Sequence, residues 1–158
     1  MKLRLHHVNV VSDDMDELNS FYRDILGLDQ LPMIIEDVSK QTEPVEGESA
    51  DDAQRRANAA LFDPSNAAFF DVSGQDELQI HIGRRQAYLA HRLGHTVNPV
   101  LTGHFAFRTD DLDAVRKALN EAGIPFSDYG EWVIKGWDQI FLTDPAGNVV
   151  EIQQVISD

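Results

Sequence analysis

The chain has 158 residues, 27 Asp and Glu against 13 Lys and Arg, a formal net charge of −14 and no cysteine. A chain of this length forms one compact unit, or two small modules sharing a core. The charge disfavours nucleic-acid and anionic-membrane partners, which need clustered Lys and Arg, and the missing thiols exclude disulfide frameworks, thiolate zinc sites and cysteine nucleophiles.

In chain order, Met1 to Leu5 runs into a strand pattern without the apolar core and cleavage site of a signal peptide. No apolar run approaches the ~20 residues that span a bilayer, so a cytoplasmic protein is expected. Leu3 to Val11 alternates and predicts a strand. Ser12 or Asp13 is placed to cap the helix that follows. That helix carries the stripe Met15, Leu18, Phe21, Tyr22, Ile25 and Leu26, and Gly27 stops it. Strands are predicted next at about 29–35, 67–73 and 76–83. An insertion near 36–62 separates the first two. Its Glu36 to Asp52 stretch holds seven acidic residues against Lys40 alone, which reads as a solvated loop, with a short helix near Asp51 to Leu61.

The second half repeats the plan. His104 to Thr109 predicts a strand, and Leu112, Val115, Ala118, Leu119 and Ala122 form a helix stripe closed by Gly123. Strands follow near 126–132, 137–143 and 148–155, the last after the turn Asp144-Pro145-Ala146-Gly147-Asn148. Laying His7 over His104 places Ser12-Asp13-Asp14 on Thr109-Asp110-Asp111, the mark of an internal duplication. The predicted organisation is a βαβββ module over 1–83, a partly helical connector over 84–101 and a second βαβββ module over 102–158. His104 to Glu151 spans 47 residues and His7 to His81 spans 74; the difference of 27 is about the length of the insertion.

Alternation along strands then groups the polar residues. His7 falls on a face with Leu5, Asn9 and Val11, and His81 with Glu77, Gln79, Gly83 and Arg85. His104 falls with Ala106 and Arg108, and Glu151 with Val149 and Gln153. His6 takes the opposite face, as packing. If the halves pack as twofold copies, His7, His81, His104 and Glu151 converge. Three imidazoles and a carboxylate suit one divalent first-row transition metal, Zn, Ni, Co, Mn or Fe(II), and suit Ca or Mg poorly. Arg85 and Arg108, each four residues after a histidine, are candidates to clamp a substrate anion. Asn9, Gln139 and Phe141 are candidates to line the substrate cavity, and Trp132 and Trp137 are read as core or dimer packing, with packing on a ring substrate as the alternative.

The segments LHHVNV…FYRDILGL, QIHIG, GHFAFRTDDLDAV and IFLTDPAGNVVEIQ together resemble the vicinal-oxygen-chelate superfamily. That group comprises glyoxalase I, methylmalonyl-CoA epimerase, extradiol dioxygenases, fosfomycin-resistance transferases and bleomycin-binding proteins. The resemblance covers nearly the whole chain outside the insertion. It implies an α+β fold, two βαβββ modules forming a curved, cupped mixed sheet with helices outside. It also implies a metal that chelates adjacent oxygens of a small-molecule substrate, and a homodimer. One such site serves several chemistries.

Glyoxalase I carries glutamate in many members where His81 stands, and its glutathione-binding Arg and Asn fall on Val11 and Arg85. Extradiol dioxygenases need only His7, His104 and Glu151, which leaves His81 as an extra ligand or as a neighbouring acid–base group. Their active-site tyrosine falls on Phe141, which has no proton to give, a further histidine falls near Trp132, and most carry four modules. Methylmalonyl-CoA epimerase usually places Gln at His81. The expectation is therefore a metal-dependent, glyoxalase-like lyase or isomerase in which Glu151 and His81 are the catalytic proton-transfer groups. An Fe(II)/Mn(II) dioxygenase of extradiol type is the first alternative, and a non-catalytic ligand-sequestering protein the second.

Overall fold

The computed structural model describes residues 2–33, 47, 49, 63–74 and 78–156. The insertion at 36–62 and its predicted helix lie outside the described residues, Gly47 and Ser49 excepted. Eight strands form one mixed sheet: β1 (Arg4–Ser12), β2 (Asp29–Leu31), β3 (Ala67–Asp71), β4 (Gln79–Arg84), β5 (His104–Arg108), β6 (Phe126–Glu131), β7 (Trp137–Thr143) and β8 (Val149–Val155). Their order across the sheet is β2-β3-β4-β1-β5-β8-β7-β6. β1 runs parallel to β4 and β5 parallel to β8, whereas β1 and β5 meet antiparallel at the central seam. This is the α+β fold of two βαβββ modules that the sequence predicts.

The duplication extends to register. Asn9, two residues beyond His7, pairs with His81; Ala106, two beyond His104, pairs with Glu151. The seam itself is tight. Gly103 has φ +82°, and a Cβ there would run into the Asn9 carbonyl oxygen of β1, so only glycine fits.

Among the described residues three α-helices pack on the sheet: α1 (Met15–Ser20), which continues as a π-helical turn over Phe21–Ile25, α2 (Leu89–Arg92) and α3 (Leu112–Glu121). Asp14 caps α1 by accepting from the Glu17 N–H at 2.9 Å, and Asp111 caps α3 by accepting from the Ala114 N–H at 2.9 Å. The first cap lies beyond the predicted Ser12 or Asp13 because Ser12 still belongs to β1, and its hydroxyl accepts from the Asp14 N–H instead. Leu112 and Val115 of α3 bury against Ile140, Leu142, Val150 and Ile152, on the outer face of the second half. Met15 of α1 buries against Ala68, Phe70 and Ile82 on the first. The predicted stripe of α1 does not stay buried: Phe21, Ile25 and Leu26 are exposed. The π turn, closed by the Leu26 N–H on the Phe21 carbonyl, rotates them off the packing face.

The connector forms one wall of the cup. α2 lies within it, and Leu89 and Leu93 pack with Tyr129, Phe141 and Val149 on the inner face of the second half. Its loop is pinned by the Tyr129 hydroxyl donating to the Val97 carbonyl and by the Asn98 amide donating to the carbonyls of Gln86 and Ala87.

One irregularity changes the site. Leu5 pairs with Phe107 and His7 with Ala106, so His6 is an extra residue in β1. Such a bulge turns two consecutive side chains to the same side. His6 is therefore on the inner side with His7, not opposite it as alternation predicts, and Leu5 is half-exposed on the outer face. Among the described residues no helix is long and apolar enough to cross a membrane.

Candidate metal centre

Each half sends its opening histidine inward from the central seam, and β8 adds a carboxylate from the adjoining strand. His7 Nε2 and His104 Nε2 are 3.3 Å apart. Glu151 Oε2 lies 3.3 Å from the first and 3.0 Å from the second. Bonds of about 2.1 Å would separate neighbouring donors by about 3.0 Å in an octahedron and about 3.4 Å in a tetrahedron. The three atoms therefore form a triangle of the size that a divalent transition metal fills.

Their chemistry agrees with their spacing. His104 Nδ1 lies 2.7 Å from the Pro99 carbonyl oxygen, which can only accept, so Nδ1 carries a proton and Nε2 is the ring nitrogen free to ligate. Burial alone would raise the Glu151 carboxyl, but charge and hydrogen bonds from His7 and His104, which a proton on either Nε2 supplies, outweigh it and hold the group well below the usual carboxylate range. Burial pushes His7 down more than Glu151 lifts it, which favours the neutral ring. Glu151 Oε1 is buried with no hydrogen-bond partner. Lone pairs thus converge on one point that must hold a cation, either a proton or a metal.

His81 is placed beside this triangle and not at its apex. Its ring is sandwiched between Phe69, 3.6 Å away at 12°, and His7, 3.7 Å away at 18°. Imidazole lone pairs lie in the ring plane, so two stacked rings aim side by side and do not converge on one ion. His81 Nε2 instead donates to Gln79 Oε1 at 2.7 Å. Burial holds its pKa well below the ordinary value, leaving the ring neutral. His6, the bulged residue, is pulled down to about 3, by burial first and by the Arg108 guanidinium next.

Around the triangle opens a cup of about 750 Å³, counting the solvent at its mouth. Asn9, Gln139 and Phe141 line it, as do His7, His81, His104 and Glu151. Phe141 sets its ring edge-on to His104. Arg85 and Arg108 are not part of the wall. Arg85 lies past the end of β4, where it donates to the Leu101 carbonyl and faces Asp13 at 3.5 Å. The Arg108 guanidinium stacks on the Trp137 ring, 4.8 Å from its centroid. Arg84 is the arginine on the rim, tied to the Asn66 side chain and the Asp13 carbonyl.

Sequence reasoning missed Phe69 and preferred packing over substrate contact for Trp132 and Trp137, and all three line the cup. Phe69 is the register partner of His81, so pairing β3 with β4 would have found it. The Trp132 Nε1 donor is buried without a partner, in a wall that faces the cup.

The duplicated strands, the shared register and this donor set describe one class of protein. The sequence model of the Glyoxalase/Bleomycin resistance protein/Dioxygenase superfamily matches residues 4–152, and the chain belongs to that superfamily. Among solved structures it is similar to a superfamily member from Vibrio splendidus 12B01, at 13% identity over 97% of this chain and 99% of that one, with a TM-score of 0.55. It is similar as well to methylmalonyl-CoA epimerase from Mycobacterium tuberculosis, at 20% identity over 95% and 86% of the two chains and a TM-score of 0.56. The epimerase from Streptomyces coelicolor, solved with 2-nitronate-propionyl-CoA, gives 18% identity over 98% of each chain and a TM-score of 0.59. These likenesses show the shared fold. No curated protein matches the chain.

Proposed function

We propose that the protein is a metal-dependent enzyme, a glyoxalase-like lyase or isomerase, whose small substrate offers two adjacent oxygens to the metal. The observation that carries this reading is the convergence of His7 Nε2, His104 Nε2 and Glu151 Oε2, each 3.0–3.3 Å from the other two. His7, His104 and Glu151 would hold a divalent first-row ion, which supplies Lewis acidity to a substrate carbonyl when bound.

The remaining work falls to the chain. Glu151 Oε1, buried and unpartnered, can accept a proton from a carbon next to that carbonyl. His81, whose Nε2 proton is committed to Gln79, offers Nδ1 as a second acceptor beside the site. The Trp132 indole N–H and the Asn9 side chain can hold substrate oxygens in place. Phe69, Trp137 and Phe141 exclude water and flatten the space available. The fold shared with methylmalonyl-CoA epimerases supports proton-transfer chemistry on a carbonyl compound. The proposal extends to a homodimer in the cytoplasm, which sedimentation and cell fractionation test.

A second reading has its own observation. With His81 outside the triangle, the donors form the two-histidine, one-carboxylate face typical of non-haem Fe(II) oxygenases. Metal and oxygen separate the two. The lyase or isomerase works anaerobically with Zn, Ni or Co, whereas an oxygenase needs Fe(II) or Mn(II) and consumes oxygen. A protein that binds ligand stoichiometrically, forms no product with any metal and is indifferent to Glu151→Gln would be a sequestering protein instead.

A further inference from the structure

A second line of polar contacts lies behind the converging atoms, almost wholly buried. His6 Nδ1 is 2.9 Å from His7 Nδ1. The Gln153 amide nitrogen is 3.2 Å from that same His6 Nδ1, and Arg108 Nε donates to Gln153 Oε1 at 3.3 Å. Gln153 is fully buried, and His6 and His7 nearly so.

The direction of every bond follows from the one fixed end. A guanidinium only donates, so the atom of Gln153 that faces Arg108 is the carbonyl oxygen, and its NH₂ faces His6. That NH₂ donates, so His6 Nδ1 is an acceptor and the His6 proton sits on Nε2. Any proton on the 2.9 Å line between the two imidazoles then belongs to His7 Nδ1, which shares the single His6 Nδ1 lone pair with the Gln153 amide, while His6 Nε2–H is buried without a partner. His7 Nε2 is left bare, aimed at Glu151 and His104.

We propose that Arg108, Gln153 and His6 form a relay that holds His7 in its metal-binding tautomer, with His6 as the positioning residue in contact with the ligand. The proposal rests on the metal-centre reading above. The relay answers a specific competition. With its proton on Nε2, His7 could donate to Glu151 Oε2 3.3 Å away, a satisfied pair that shuts metal out. A ligating histidine is usually held by a carboxylate or a carbonyl oxygen, and His104 has the carbonyl of Pro99. His7 has a neutral imidazole instead, which orients it without adding negative charge beside Glu151. The bulge makes this possible, since regular alternation would send His6 to the outer face.

Long-range proton–nitrogen correlation spectra read imidazole tautomers directly, in metal-free and zinc-loaded protein alike. The expected pattern is His6 protonated on Nε2 and His7 on Nδ1 in both; a His6 proton on Nδ1 overturns the relay. Zinc affinity, measured by competition with a chromophoric chelator, gives the second arm. His6→Phe keeps the ring volume and removes the acceptor, and should weaken binding about 10–100-fold. His6→Asn returns an acceptor oxygen and should recover most of that loss.

Gln153→Glu sets the relay against simple electrostatics. An added buried negative charge alone tightens cation binding. The relay demands weaker binding, because the new carboxylate would draw a proton onto His6 Nδ1 and take away the acceptor of His7. Tighter binding in Gln153→Glu, or unchanged binding in His6→Phe, refutes the relay. If His6→Phe does not fold, Gln153→Glu and the wild-type spectra still decide. A wild type that binds no zinc overturns the metal centre, a result distinct from zinc binding that ignores His6.

Discussion

The two halves of the sheet share topology and register, yet they equip the site unequally. In the second half β5 and β8 deliver His104 and Glu151 together, with the small, fully buried Ala106 paired against the carboxylate. In the first half β1 and β4 deliver His7 and His81 from the matching positions, but Asn9 stands where Ala106 does, and His81 is held between two rings. One half therefore supplies two donors, the other one donor and a flat wall. A duplicated backbone fixes where a side chain starts; its neighbours decide whether it reaches the shared point.

The sharpest way to break this comparison is to exchange the matching residues. Glu151→Gln should weaken zinc binding at least about 100-fold, whereas His81→Phe, which preserves the stack, should leave it within about threefold of wild type. Chelator competition reads both, and equal losses would place His81 among the ligands. Next in size are the cores beneath each half. Ile140 and Ile82 are both fully buried, and either change to Ala should cost about 3 kcal/mol in chemical denaturation. Unequal losses would show that one half dominates stability.

Acid sharpens the contrast further. The folded His6 stays neutral down to about pH 3, against an ordinary value of 6.5. Its contribution is whole above pH 6.5 and is lost as pH falls toward 3, at up to about 1.4 kcal/mol per pH unit in the metal-free protein. His81 shifts in the same direction. Denaturation midpoints should fall on acidification, and less steeply in His6→Phe. The smallest effect belongs to the helix caps. Asp14→Ala and Asp111→Ala should each cost about 1 kcal/mol, with the longer, better buried α3 the more sensitive by thermal melting.

Much of this was legible in the sequence because a duplication states everything twice. His7, His104, Glu151 and the βαβββ repeat follow from period-two alternation and a repeated offset, and the curved mixed sheet from the family resemblance. The rest depends on events that alternation does not record. An extra residue in β1 has no signature of its own, so alternation puts His6 on the wrong side and Leu5 on the site face. Arg85 was assigned to the site face by counting beyond the point where β4 ends. The stack that captures His81 needs the pairing of β3 with β4, and the π turn that exposes Ile25 and Leu26 looks like ordinary helix in the periodicity.

The spacing between the two opening histidines hangs on a hydrogen atom. Because Gly103 meets the Asn9 backbone directly, the strands beside it close to a distance that no other amino acid would permit. A methyl there would act as a shim driven into the joint, prising His104 away from His7 before it touched any donor atom. The gauge that sets the width of the site therefore sits one residue outside it, at a position with no functional group at all.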